Sequence, residues 1–139
     1  MTLEVTVSQA QGKVPVTILS PHGQVDASNY QDLIAEANTA YAGGARDMVL
    51  DLGDVSYMSS SGLVALQSIA AMLRGEGLPG PDVGWDAFRS IHRDRESGVQ
   101  AHLKLANPQL RVNHVLEVVG LKRFLETFDD VESAVASIG

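Results

Sequence analysis

Apolar and polar positions alternate at the start of the chain, with Leu3, Val5 and Val7 separated by polar neighbours. This is the pattern of a half-buried strand. After the polar turn Gln9 to Gly12, a second apolar run, KVPVTILS (Lys13 to Ser20), predicts another strand. Pro15 fits either an edge position or a strand start. Pro21-His22-Gly23 should break the run, leaving Gln24-Val25 as a short extension towards Asp26. Tyr30, Leu33, Ile34, Ala37 and Tyr41 then recur at helical spacing. Asp26 and Ser28 are suitable residues for the N-terminus of that helix, and Gly43-Gly44 for its end.

The stretch Met48 to Gly75, MVLDLGDVSYMSSSGLVALQSIAAMLRG, organises the rest. A strand over about 47–52 leads through Val55, Tyr57 and Met58 to Ser59-Ser60-Ser61-Gly62. Leu63, Leu66, Ala70 and Leu73 follow at close to helical spacing. Beyond Gly75 the pattern lapses: Gly75, Gly77, Pro79, Gly80, Pro81 and Gly84 mark a loop. Trp85, Phe88 and Ile91 could form a short helical turn in it. Connections longer than about 12–15 residues are uncommon in compact domains. The segment of about 76–98 therefore reads as an insertion, either a surface excursion pinned by Trp85 and Phe88 or a partner-binding flap.

Regularity returns with VQAHLKLA (Val99 to Ala106), which predicts a strand, and Asn107-Pro108 should open a helix lined by Val112, Val115, Leu116 and Val119. Leu125 to Phe128 suits a last short strand. Asp129 or Asp130 should cap a final helix carrying Val131, Ala134, Val135 and Ile138. Two strands joined by a short turn, then helices alternating with strands, predict an α/β layered sheet with an antiparallel N-terminal edge. A chain of 139 residues suits one domain.

Composition narrows the function. The net charge of −7 opposes nucleic-acid or anionic-lipid binding, which uses a clustered basic face. It fits either simple solubility or attraction of a basic partner. No apolar run approaches the roughly 18–20 residues that span a bilayer, and no secretory signal opens the chain, so a soluble cytoplasmic protein without membrane insertion is expected. With no cysteine and no metal-ligand spacing among His22, His92, His102 and His114, neither a zinc site nor a thiolate nucleophile is expected. Gly75-Glu76-Gly77 lacks the lysine of a phosphate loop. A nucleophile elbow needs flanking glycines that Ser59 does not have, so no catalytic residues and no cofactor are assigned.

A serine turn between strand and helix puts hydroxyls and free backbone N–H groups at one sheet edge. Those serines either cap the helix and nothing more, or hold an oxyanion or phosphoryl group. Met58 and Leu63 suit either the core or an apolar contact with a partner, and Asp26 either a cap or the same edge.

DLGDVSYMSSSGLVAL resembles the signature of the STAS family, named for sulfate transporters and anti-sigma factor antagonists. Gly23-Gln24-Val25-Asp26 is similar to the family's G-x-L-D, and Asn107-Pro108 through Val118-Val119-Gly120-Leu121 to its later segment ending in G-L. The likeness covers nearly the whole chain, 1–139, apart from the insertion. It implies one STAS-like α/β domain, with a mixed four- to five-stranded sheet and about four helices largely on one face. It also implies an anti-sigma factor antagonist that, unphosphorylated, binds an anti-sigma factor with serine kinase activity and so frees a sigma factor. Ser60 would be the phosphorylated residue, with Ser61 and Ser59 as alternates. Asp26, Met58, Ser59, Ser61, Gly62 and Leu63 would contact the partner. Where the family carries an acidic residue before the serine pair, this chain has Ser59, one negative charge fewer. A non-phosphorylated accessory or scaffold subunit of a transporter or signalling complex is the alternative role, and homodimerisation stays open.

Overall fold

The computed structural model describes residues 3–73, 102–123 and 125–138. The insertion of about 76–98, with Trp85, Phe88, Ile91 and His92, lies outside them. The alternation at the N-terminus becomes β1 (Glu4–Gln11), antiparallel to β2 (Pro15–Val25) in unbroken register from Glu4↔His22 to Gln11↔Pro15. Pro15 is the first residue of β2, where its missing N–H costs no ladder bond. β3 (Met48–Asp51), β5 (Leu103–Ala106) and β6 (Thr127–Phe128) follow in parallel, so five strands lie in the order β1-β2-β3-β5-β6. A further short strand, β4 (Val55–Met58), pairs in parallel with the far end of β2.

Two expectations are corrected here. Pro21-His22-Gly23 does not end the strand. β2 runs through it for 11 residues and takes up an irregularity at Gly23/Gln24, where Gly23 has φ +99°. Glycine reaches that conformation without a Cβ penalty. The helix after β5 begins at Leu110, not at Asn107-Pro108, because Asn107 sits at φ +56° and turns the chain first.

Helices α1 (Tyr30–Ala42), α2 (Ser60–Leu73), α3 (Leu110–Val118) and α4 (Val131–Ser137) complete the described elements, with a 3-10 turn at Leu121–Arg123. Strand alternation sorts them to two faces. Leu19, Met48, Leu50, Leu103 and Leu105 point into the main core, with Leu33 and Ala37 of α1, Leu66 and Ile69 of α2, and Val112 and Leu116 of α3. Val16, Val49 and Ala106 point the other way and are covered by Ala134, Val135 and Ile138 at the C-terminal end. Three of the four helices thus share one face. Asp130 caps α4, its carboxylate accepting from the Ser133 N–H at 2.7 Å. Gly44, at φ +113°, lets the chain leave α1.

Candidate functional site

The serine turn sits where β2 and β4 end side by side. Val25 pairs with Met58, and the Ser59 N–H donates to the Val25 carbonyl at 2.9 Å. Asp26 and Ser59 are therefore the first residues beyond two neighbouring strand ends. The Ser59 carbonyl accepts from the Leu63 N–H at 3.2 Å, the first hydrogen bond of α2. By helix geometry the N–H groups of Ser60, Ser61 and Gly62 then have no carbonyl four residues back. They form the positive end of a 14-residue helix with no acidic side chain in its first turn.

The three serines differ. Ser60 is exposed, at the first helical position; Ser61 and Ser59 are half-buried. Ser59 Oγ is buried and has no hydrogen-bond partner. A serine at this position usually bonds a first-turn N–H; this one does not, so Ser59 starts the helix through its carbonyl alone.

Asp26 is held in a turn of its own. Its Oδ1 accepts from Ser28 Oγ at 2.6 Å and from the Ser28 N–H at 2.9 Å. The Ser28 hydroxyl first, then the Ser28 backbone, hold its carboxyl below the usual carboxylate value, so it is ionised at neutral pH. Neither Asp26 nor Ser28 is the cap of α1. Asn29 stands there, its side chain accepting from the Asp26 N–H and donating to the Gln24 carbonyl, both at 2.9 Å.

Three of the residues expected to meet a partner turn inward. Met58 is 2% exposed and Leu63 8%, both in the main core. Gly62 is buried against them: a Cβ added there would lie 2.4 Å from Met58 Cγ and 3.2 Å from Val25 Cγ1. Its lack of a side chain lets α2 approach β4 and β2. The solvent side of the site is left to Ser60, Ser61 and Asp26, together with Tyr57. Tyr57 is 42% exposed one residue before Met58; the sequence did not single it out, because an aromatic in an apolar run reads first as core.

The surroundings are fixed by polar ties. Gln109 Nε2 at the start of α3 donates to the Gly53 carbonyl at 2.9 Å, and the Leu52 N–H to Ala106 at 2.9 Å, so the β3–β4 turn is held from the β5 side. His22 lies between Asp54 (Nδ1 to Oδ2, 2.5 Å) and Thr6 (Nε2 to Oγ1, 2.7 Å), and His102 bonds Asp47 at 2.8 Å. Since Ser59 Oγ has no partner, no base is hydrogen-bonded to it. Among the described residues no group of three acidic or histidine side chains is placed to hold a metal ion. None of their helices is long and apolar enough to cross a membrane.

Comparison with known proteins agrees with this fold. The fold is similar to the crystal structure of an anti-sigma factor antagonist from Mycobacterium paratuberculosis, with a TM-score of 0.69, 15% identity, and coverage of 98% of this chain and 93% of that one. It is similar also to the anti-sigma factor antagonist SpoIIAA in its unphosphorylated form (TM-score 0.52, 14% identity, 94% and 93% covered). The phosphorylated form, described as a Bacillus cell fate determinant, gives a TM-score of 0.54 at 16% identity, with 95% and 96% covered. No curated protein sequence matches the chain. The family model for the STAS domain matches residues 8–79, which take in β2, the G-x-x-D turn, β4 and the serine turn. That is just over half of the 139 residues, and the chain belongs to the STAS domain family.

Proposed function

We propose that the protein is an anti-sigma factor antagonist whose binding is switched by phosphorylation of Ser60. The carrying observation is that Ser60 alone of the three serines is exposed, at the first position of α2, where helix geometry leaves the first-turn N–H groups without an intrahelical carbonyl. The neighbours' description as anti-sigma factor antagonists, one of them in a phosphorylated form, supports the reading.

The chemistry of the switch is local. A phosphoserine adds about −1.5 to −2 charges at pH 7. At a helix N-terminus that charge meets N–H donors and the positive end of the dipole, so the fold tolerates it. In a close protein contact the same group would have to shed its water. A loss of about 3 kcal/mol weakens binding roughly a hundredfold. In this proposal the partner, an anti-sigma factor with serine kinase activity, docks on Ser60, Ser61, Tyr57 and the Asp26 edge. Met58, Gly62 and Leu63 act from beneath by fixing where α2 begins.

The test is phosphorylation by the partner kinase with ATP, mapped by mass spectrometry on wild type and Ser60→Ala. Phosphate should appear at Ser60 and vanish in the variant. Ser60→Asp should bind the partner about a hundredfold more weakly while unfolding at the wild-type midpoint. Phosphate persisting in Ser60→Ala moves the site to Ser61 or Ser59. Absence of phosphate together with undiminished binding by Ser60→Asp sinks the switch and favours an unphosphorylated accessory subunit.

A further inference from the structure

Among the described residues, the two edges of the sheet are guarded unequally. β6 is two residues long, and short edges offer little to pair with. Among the described residues β1 borders β2 on one side only, and it is eight residues long with no bulge in its register. Its stretch Val5 to Gln11, VTVSQAQ, holds no charge and no proline in a chain of net charge −7. Lysine, proline and bulges are the usual devices that keep an edge from pairing, and β1 has none of them over this stretch. Val7 is 43% exposed on it. Beside Val7 and Gln9 opens a cleft of about 710 Å³ whose far wall is the C-terminal end of α1, with Thr39 and Ala40.

We infer that β1 is a homodimer interface at which a second copy of this chain adds its own β1 antiparallel to the first, making one sheet through both molecules. Symmetry restricts the register. A two-fold axis normal to the sheet keeps each face on its own side, and opposed residues of an antiparallel pair point to the same face. Each residue must therefore face one an even number of positions away. Pairing Val7 with Val7 of the second copy satisfies this and sets the exposed valines together at the axis. Thr6 then faces Ser8, and Val5 faces Gln9. No two like charges oppose along β1. The stranded backbone groups of the edge pair with their counterparts about 4.8 Å away. The contact is small, at the low end of specific interfaces, so the dimer is micromolar or weaker.

This edge flanks β2 on the side opposite β4, so the dimer does not depend on the reading of Ser60. The experiment is sedimentation of the purified full chain from low micromolar to millimolar concentration. Wild type and Ser60→Asp should both rise towards the mass of two chains and stop there. Val7→Lys, which sets like charges at the axis, should stay at one chain throughout. Gln9→Lys, on an exposed position, decides the matter if Val7→Lys loses its helical circular dichroism. A wild type that remains single at millimolar concentration overturns the proposal. So does growth beyond two chains, or lysine variants that associate as wild type does.

Discussion

Ser59 and Ser60 are adjacent in sequence and opposite in situation, one with its hydroxyl buried and unpartnered, the other in solvent. If Ser59 capped α2 through its side chain, Ser59→Ala would cost about 1 kcal/mol. Because the hydroxyl is buried without a partner, its removal relieves a desolvation penalty instead. Ser59→Ala should therefore unfold in urea at or slightly above the wild-type midpoint. Gly62→Ala should do the reverse: the 2.4 Å approach to Met58 forces that side chain aside, an overpacking cost of about 1–3 kcal/mol. A matching fall in the urea midpoint, with the far-ultraviolet spectrum unchanged, is the expected result. Asp130 adds a pH dependence. The Ser133 N–H, and secondarily its hydroxyl, hold the Asp130 carboxyl below the ordinary value. A folded value below the unfolded one gives stability that is present above about pH 4 and lost as pH falls through the folded value. Asp130→Ala should accordingly be less stable than wild type at pH 7, and the difference between their urea midpoints should shrink by pH 3.

At the scale of elements, local pattern and packing contributed differently. The 3.6-residue period of α1 was legible because one face of the helix meets the core and the other meets water. The alternation of β1 marked a strand although, of Val5 and Val7, only Val5 packs against the main core. Gly43-Gly44 and Asp130 marked helix ends through chemistry that acts within a few residues. β4 was not legible. Its sequence, VSYM, is buried at both ends and exposed at Ser56 and Tyr57, so it shows no period of two. It is a strand only because β2 continues far enough to pair with it, and that continuation depends on Gly23 absorbing an irregularity inside what looked like a break. The site divided the same way. The motif located the serine turn, while the inward course of Met58, Gly62 and Leu63 came from the closeness of α2 to Val25, a contact 37 positions distant along the chain between Val25 and Gly62. Asn29 was hidden by its neighbours, since Asp26 and Ser28 are equally good caps by residue type and only the fold chooses among them.

At the scale of the molecule, β2 is the shared member: β1 lies along one side, and β3 and β4 follow one another along the other. Its residues Val16, Leu19 and Val25 are fully buried and divide between the two cores. No partial opening can release this strand while sparing its neighbours, so its amide hydrogens should trade with deuterium only when the entire chain comes apart. Exchange followed by nuclear magnetic resonance should give Thr17 to Leu19 opening free energies equal to that of complete unfolding, with the amides of Ser60 and Ser61 many times faster. A slow strand beside a fast-exchanging helix mouth would let the serine turn open and close without loosening the backbone that bears it.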